Sequence, residues 1–369
     1  MTKKIVWVTP IFCMDNNKDV VPYLSKYFDI HWIIVSSELP ANAQDVLNMK
    51  KSSLTIEYYL ISDKWYNPVV FLSYKRLYSH IKELSGDTIY YNKAPQLWEY
   101  YAARLYLPRK KIVFALHNVK VPKGARYETM ARFYMRKMIR HFTNFHVFSL
   151  NQKNYLESIS SGKNILYAEL PLLNFGNKLE RKYYLDKVNF LAFGFIRRYK
   201  RFDLLIDAAQ ALYEETKVPF TITIIGQCKN WEIYQNRIRY PELFNLNIGY
   251  VDDEDIPSIF SNCDYLVLPY QDLAQSGPLM LAFYYNVPVI ASDIAAFREF
   301  IQEGVNGFFF ESENSSSLKD LMKRLLLLDK SQKEELVSNV KKYTDENHSL
   351  ESLAIRYNKY FNRLEKENS

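Results

Sequence analysis

The chain has 369 residues and a formal net charge of +7, and 48% of its residues are hydrophobic. This length suggests two domains, and the hydrophobic fraction supplies real cores and excludes a disordered chain. Its three cysteines, Cys13, Cys228 and Cys263, are far apart, which excludes a disulfide framework or a cysteine-based zinc site and fits a reducing cytosol.

The N-terminal segment, MTKKIVWVTPIF, combines a basic start with a short apolar run. The run contains Pro10 and meets MDNNKD without a small-residue cleavage site, so it predicts a buried first strand rather than a signal peptide. No apolar segment reaches the roughly 18 residues that a membrane span requires. The sequence therefore predicts a soluble protein.

Apolar runs of strand length alternate with amphipathic segments of helical period along the chain. The predicted strands of the first half are KIVWVTP, HWIIVSS, TIEYYLIS, TIYYN, KIVFALHN, FHVFSL and NILYAEL. After a Pro/Asn/Gly and then charged stretch at 171–187, which predicts a linker, the pattern restarts with VNFLAFGF, FTITIIGQ, NLNIGYV, DYLVLPY, VPVIASD and GFFFE. Continuous Ile, Val and Phe runs, rather than strict alternation, indicate parallel sheets covered on both faces.

These elements predict an α/β protein of two Rossmann-like, doubly wound parallel-sheet domains facing a cleft. The predicted domains are 1–172 and 187–345, and 346–369 is a C-terminal helix that could cross back to the first domain. Ligands of open parallel sheets bind beyond the C-terminal ends of the strands. We therefore expect one site in the cleft.

A basic cluster follows the first strand of the second domain, in the stretch FGFIRRYKRFD. Arg197 and Lys200 there can point into the cleft, where Arg offers a fork that matches phosphate oxygens and Lys a compact point charge. The same stretch also fits a basic loop in solvent.

A second motif, QSGPLM, lies where a strand ends and a helix begins. Ser276 is a good N-cap, Gly277 lets the backbone approach a ligand, and Pro278 suits the first turn. The free N–H groups and the helix dipole there form an anion site. Together with the basic cluster this arrangement can hold a diphosphate, although an ordinary capped helix would have the same sequence.

The sequence predicts no metal site. The acidic run VDDED, at 251–255, fits a helix start in which Asp252 or Asp253 is the N-cap, rather than a metal-binding pair. The six histidines show no ligand spacing.

Three segments, FGFIRRYKRFDLLIDA, IGYVDDEDIPSIFSNCDYLVLPY and QSGPLMLAFYYNVPVIASDIAAFREFIQEGVNGFFFE, together resemble the C-terminal domain of glycosyltransferase family 4, which has the GT-B fold. They span residues 193–311. The stretch FALHNVKVPKG is similar to the N-terminal, acceptor-binding domain of a subgroup that makes cell-surface polysaccharides.

The resemblance assigns roles to individual residues. Arg197 and Lys200 match the basic pair that binds the donor diphosphate and stabilises the leaving group. His117 matches a catalytic position near the reacting sugar, although a capping or core histidine would also fit this position. The implied donor-binding residues are Gly194, Tyr250, Val251, Asp272, Gln275, Ser276, Gly277 and Glu299, of which Ser276 and Gly277 meet the phosphates and Tyr250 and Val251 line the base. Asn118 is the implied acceptor contact.

One departure concerns the donor ribose. Many family members have two glutamates separated by seven residues, the second of which binds the ribose, but this chain has Leu281 at the second position. Asp272 is the only carboxylate near the first position, and Glu299 is another candidate for the cleft or simply a helix residue.

The resemblance implies a transferase that moves a sugar from a UDP- or GDP-sugar to a saccharide or lipid-linked saccharide. The reaction would retain the anomeric configuration and use no cofactor, with cations in place of a metal. The alternatives are a GT-B nucleotide-sugar epimerase, a non-enzymatic basic nucleic-acid-binding protein and an inactive transferase-like scaffold. The basic residues form no recognisable nucleic-acid module, so we expect no nucleic-acid partner.

Charge is distributed unevenly, since residues 1–175 hold 24 Lys and Arg against 13 Asp and Glu. With the basic and aromatic stretch ARYETMARFYMRKMIRHF, this excess predicts a cytoplasmic protein that rests against the anionic inner face of the membrane. The same stretch also fits a core helix with Tyr134 and Met138 turned inward.

Overall fold

The computed structural model describes residues 2–121, 127–179 and 187–368 and divides into two units. The first unit comprises Met1–Pro171 with Leu350–Ser369, and the second comprises Leu172–Ser349. The charged part of the predicted linker, at 180–186, and the PKG end of the first-domain motif, from 122 on, lie outside the described residues.

A seven-stranded parallel sheet forms the centre of the first unit, in the order β3-β2-β1-β4-β5-β6-β7. Its strands are β1 (Lys4–Pro10), β2 (Asp29–Ser36), β3 (Leu54–Leu60), β4 (Thr88–Tyr91), β5 (Ile112–Leu116), β6 (Asn144–Val147) and β7 (Asn164–Tyr167). Every residue of β4, β5 and β6 is buried, as the continuous apolar runs predicted.

Helices follow most strands of this sheet. They are α1 (Val20–Leu24), α2 (Ala43–Leu47), α3 (Val70–Glu83), α4 (Trp98–Tyr106), α5 (Glu128–His141) and α6 (Leu150–Ile159). Helix α5 buries Tyr134 and Met138 against the sheet, so the core-helix interpretation is correct for that face.

The second unit contains a six-stranded parallel sheet in the order β10-β9-β8-β11-β12-β13. Its strands are β8 (Val188–Phe193), β9 (Phe220–Ile225), β10 (Phe244–Asn247), β11 (Tyr265–Leu268), β12 (Val289–Ser292) and β13 (Gly307–Phe310). Its helices are α7 (Phe202–Glu215), α8 (Glu232–Gln235), α9 (Ile256–Ser261), α10 (Gly277–Tyr284), α11 (Ala295–Arg298), α12 (Ser315–Leu326) and α13 (Lys330–Asn347). The two parallel sheets confirm the predicted α/β class.

The last helix, α14 (Leu350–Asn368), belongs to the first unit. Its Arg356 forms an ion pair with Glu169, and its Tyr360 hydroxyl donates to the Asn164 carbonyl over 2.9 Å. In the described part of the chain, no helix combines the length and the apolarity that crossing a bilayer requires.

One histidine of the first sheet is enclosed in the core. His146 on β6 donates from Nε2 to the Ala168 carbonyl at 2.8 Å and accepts at Nδ1 from the Tyr90 hydroxyl at 2.6 Å. Burial lowers the pKa of this imidazole to about 3. The folded chain therefore keeps His146 neutral well below the pH at which an exposed histidine takes up a proton.

We expect the stability of the chain to fall as the pH is lowered from 7 to 4. The pKa of His146 is lower in the folded chain than in the unfolded chain, so the unfolded state binds the extra proton and gains relative stability over this range. His146→Gln keeps a donor and an acceptor but does not titrate, so its urea midpoint should depend less on pH. Equal dependence in the variant and the original chain would contradict this assignment.

Candidate donor and acceptor sites

Two glycines shape the ends of β8 and β9 in the second unit. Gly194 has φ +97° and Gly226 has φ +143°, conformations that residues with a side chain rarely adopt. A Cβ atom on Gly226 would lie 2.2 Å from the Gly194 carbonyl oxygen. The close approach of the two backbones thus requires glycine and directs the chain after Gly194 into the basic cluster.

Lys200 is the buried member of that cluster. Its residue is 7% exposed, and its ammonium lies 5.0 Å from the centroid of the Tyr270 ring. Burial and the neighbouring charge of Arg197 lower the pKa of Lys200 to about 8. Among the described residues, no carboxylate lies within ion-pair distance of this ammonium.

The other cations of the cluster differ from Lys200. Arg197 is exposed and lies over the Phe195 ring, and it too has no carboxylate partner in the described ranges. Arg201, in contrast, contacts Asp203 at 3.1 Å and Glu313 at 2.8 Å. Among the described residues, no carboxylate thus neutralises the two residues assigned to the diphosphate, whereas Arg201 is neutralised.

Helix α10 begins beside Lys200. Ser276 has extended backbone and accepts at Oγ from the Leu279 N–H over 3.2 Å, which confirms the predicted N-cap. The Pro278 ring and the Lys200 ammonium lie 3.4 and 3.5 Å from the point where a Cβ of Gly194 would stand. The helix start and the buried lysine therefore meet at Gly194.

The helix start offers fewer donors than the sequence suggested. Leu279 is used by the Ser276 cap, and Pro278 has no N–H. The N–H groups left for an anion are those of Ser276 and Gly277, for which no described acceptor is found.

A cavity of about 1160 Å³ lies next to this point within the second unit. Its wall includes Arg197, Arg198, Lys229, Arg237 and Tyr250. The cavity is therefore rich in positive charge, and Tyr250, 72% exposed, offers an open ring face. Among the described residues, the lining includes neither Val251 nor the Gly194, Lys200 and Ser276 group.

The remaining predicted donor residues, Asp272, Gln275 and Glu299, do not line this cavity. Asp272 is exposed, Gln275 is half-buried and Leu281 is buried on α10. Glu299 follows α11 near Tyr343, whose pKa is raised by burial and then by this carboxylate. Of the described carboxylates, neither Asp272 nor Glu299 lines the cavity.

The acidic run lies at a helix start, as expected. Asp252 is the N-cap of a short 3-10 turn, Asp253–Asp255, that leads into α9. Its side chain makes no cap hydrogen bond, so the predicted position is right but the predicted capping contact of Asp252 is absent.

His117 follows β5 in the first unit. Its Nε2 lies 3.0 Å from Asn92 Oδ1, and its ring stacks on Phe148 with 4.6 Å between centroids. Burial lowers its pKa to about 4, so the ring is neutral at pH 7 and Nε2–H donates to Asn92. Asn118 is exposed beside it.

A second cavity, of about 660 Å³, opens beside His117 within the first unit. Phe12, Trp65, Lys93, Glu99 and Asn118 contribute to its wall. The sequence analysis missed its ion pair, in which Lys93 Nζ lies 2.7 Å from Glu99 Oε2. Burial alone would lower the pKa of Lys93, but the Glu99 carboxylate raises it above the usual value.

Comparison with known proteins gives this geometry a context. Residues 179–343 match the family described as "Glycosyl transferases group 1". A Klebsiella pneumoniae protein, "Uncharacterized 41.2 kDa protein in cps region", is 25% identical over 137 residues, which is 37% of this chain and 36% of the relative. The chain thus aligns with about a third of the length of that curated relative.

Solved structures resemble the whole chain. Anabaena Alr3699/HepE in complex with UDP and glucose has a TM-score of 0.72 at 14% identity and covers 98% of this chain and 100% of its own. A glycosyltransferase from Rickettsia africae ESF-5 has a TM-score of 0.73 at 16% identity, with both chains fully covered. These likenesses show the GT-B fold. Residues 179–343 thus match the glycosyl transferases group 1 family, and the chain as a whole has the GT-B fold.

Proposed function

We propose that the chain is a family 4 glycosyltransferase that moves a sugar from a UDP- or GDP-sugar to a saccharide or lipid-linked saccharide of the cell surface. The observation that carries the proposal is Lys200, a buried cation without a carboxylate partner in the described structure. Support also comes from the Anabaena protein, whose structure contains UDP and glucose, and from the cps-region relative.

The donor diphosphate would bind where Lys200, Arg197 and the start of α10 meet. A buried unpaired charge is costly, and a diphosphate would offset that cost while it accepts from the Ser276 and Gly277 N–H groups. During transfer, negative charge grows on the leaving diphosphate. Cations and dipoles already aimed at it stabilise this charge without reorganisation. The nucleoside would extend into the basic cavity, against the Tyr250 ring.

We further propose that the reaction retains the anomeric configuration without a glycosidase-type pair of carboxylates. A double displacement would require two carboxyl groups about 5–5.5 Å apart across the sugar. Asp272 and Glu299, the carboxylates assigned to the donor site from the sequence, do not line the donor cavity in the described structure.

The acceptor would bind in the cavity of the first unit. Phe12 and Trp65 offer apolar ring faces for a sugar, and the Lys93–Glu99 pair offers a donor and an acceptor for hydroxyl groups. His117 is neutral and held by Asn92, so it would position the acceptor by hydrogen bonding rather than by charge.

The outer face of α5 would contact the cytoplasmic side of the membrane. Phe133 is 50% exposed there, and Arg136 and Arg140 are exposed without a carboxylate partner among the described residues. Near the start of the helix, exposed Tyr127 packs against Trp65 at 5.6 Å. Cations and aromatic rings on one surface match anionic lipid headgroups and the interface beneath them.

Lys200→Met should weaken UDP or GDP binding by about 1.5–3 kcal/mol while leaving the fold intact. Methionine fills the same space without a charge, so the free energy of unfolding should stay equal or rise. Lys217→Met is the control, because it removes the same charge from an exposed position of the second unit that does not line the cavity. Unchanged calorimetric affinity of Lys200→Met would refute the donor assignment.

Nucleotide sugars should stabilise the chain in a thermal-shift screen, by about 2.7 kcal/mol when the ligand concentration is a hundred times Kd. The product formed from the best donor should keep the anomeric configuration, as read from its anomeric proton in NMR.

Nucleotide binding should persist in EDTA, because cations and the start of α10 would take the place of a metal ion. Loss of nucleotide binding in EDTA, restored by Mg²⁺ or Mn²⁺, would instead support a metal-dependent diphosphate site.

The chain should co-sediment with anionic vesicles at low salt and be released at high salt, since each Lys or Arg near such a surface contributes about 1 kcal/mol. Arg136→Glu/Arg140→Glu should abolish this binding. Lys217→Glu/Lys342→Glu, an equal charge change at exposed positions of the second unit, should not. Equal sedimentation with neutral and anionic vesicles would eliminate the membrane-surface proposal.

A further inference from the structure

Two histidines and a glutamate converge at the edge of the first sheet, away from both candidate substrate cavities. Glu57 Oε1 lies 3.1 Å from His31 Nε2 and 2.6 Å from His80 Nε2. One ligand atom from each of the three residues lies within 4.8 Å of the other two. In the part of the chain that the structure describes, this is the one such group of histidine, cysteine and acidic side chains.

The fold explains why residues so distant in sequence meet. Strands β2 and β3 pair in parallel with Ile33 opposite Glu57, so the two-residue period places His31 and Glu57 on the same face. Helix α3 covers that face, because Ile33 belongs to one core cluster with its Leu77 and Ile81. His80 lies in the last turn of α3 and reaches the edge strand β3.

The donor set matches the ligand chemistry of zinc. Two imidazole nitrogens and one carboxylate oxygen are the protein ligands of known three-ligand zinc sites, whose fourth position holds water. With metal–ligand distances of about 2.0–2.1 Å, tetrahedral ligand atoms stand about 3.3 Å apart, so the distance of 2.6 Å between His80 Nε2 and Glu57 Oε1 would have to increase by about 0.7 Å.

Two further features favour a cation at this point. His31 Nε2 is buried and, although close to Glu57, makes no hydrogen bond of acceptable geometry within the described structure. The C-terminal turn of α3, a helix of 14 residues, also directs the negative end of its dipole towards the cluster. The side chains of His31, Glu57 and His80 are 16, 35 and 33% exposed, so an ion and a water ligand can reach them.

We propose that His31, Glu57 and His80 bind one Zn²⁺ ion that joins strands β2 and β3 to helix α3. The ion would stabilise the first unit by linking its edge strand to the helix that covers it. This site is separate from the proposed donor site, which uses cations of the second unit. Zinc binding and metal-independent diphosphate binding are therefore compatible.

The test uses the full chain, freed of metal with EDTA and then titrated with ZnSO₄ against a chromophoric chelator. We expect one equivalent of zinc to bind and to raise the melting temperature. His80→Ala and Glu57→Gln should each weaken zinc binding at least about tenfold and abolish the increase in melting temperature. His141→Ala, which removes a half-buried histidine at the end of α5, should bind zinc as the original chain does.

Three results would overturn the proposal: no stoichiometric zinc binding, full binding by both ligand variants, or loss of binding in Cys228→Ser, which would place the ion at a thiol. Because His80→Ala changes a half-buried side chain, circular dichroism at 25 °C should first show that its fold is intact. Affinity for UDP and for GDP serves as a separate measurement. Zinc binding without binding of either nucleotide would refute the proposed function alone, and nucleotide binding without zinc binding would refute this inference alone.

Discussion

The charge of Lys200 is the feature on which the proposed chemistry of the second unit depends. Desolvation penalises a buried ammonium, and no described carboxylate offsets that penalty. The Tyr270 ring face and the start of α10 offer partial compensation, since an aromatic ring attracts a cation at its face. Under the proposed function, this cation, which no described carboxylate pairs with, would be half of an ion pair whose other half is the donor diphosphate.

Sheet topology brings the parts of this site together. Strand β8 lies between β9 and β11 in the sheet. The strands that follow it in sequence, β9 and β10, are added on one side of β8, and β11, β12 and β13 are added on the other side. The segments after β8 and β11, which carry Lys200 and Ser276, therefore lie side by side at a topological switch point. The first unit repeats the arrangement, because β1 pairs with both β2 and β4, and Phe12 and Lys93 follow β1 and β4 into the cavity beside His117.

Local sequence patterns were sufficient to predict most strands and the start of α10. Most strands of both sheets were predictable because they are continuous apolar runs bounded by polar or turn residues, and a parallel sheet buries both faces of its strands. Edge strand β10 is an exception, because three of its four residues are exposed and it ends at Asn247, before the IGYV part of the predicted strand. The Ser276 cap was predictable for a similar reason, since capping depends on residues three apart in the chain. These features depend on neighbours in sequence, and sequence reasoning captures such features well.

Features that depend on tertiary contacts were not predictable. RRYKR does not reveal that Arg201 is neutralised by Glu313, 112 positions away, while Lys200 is buried with no carboxylate partner in the described ranges. Lys93 and Glu99 carry no sequence signal of an ion pair, because only the tertiary fold brings them together and buries them. His31 and His80 showed no ligand spacing, because parallel strand pairing and a helix crossover, rather than a local motif, bring them to Glu57.

The pKa of Lys200 links its burial to its proposed role. At about 8 it is low enough that the protein environment has removed much of the preference for the charged form. A diphosphate beside the ammonium would favour the charged form and raise this pKa again, so ligand binding and proton binding would reinforce each other. The lysine would then be most firmly charged with the diphosphate in place, which is when the leaving group requires a cation.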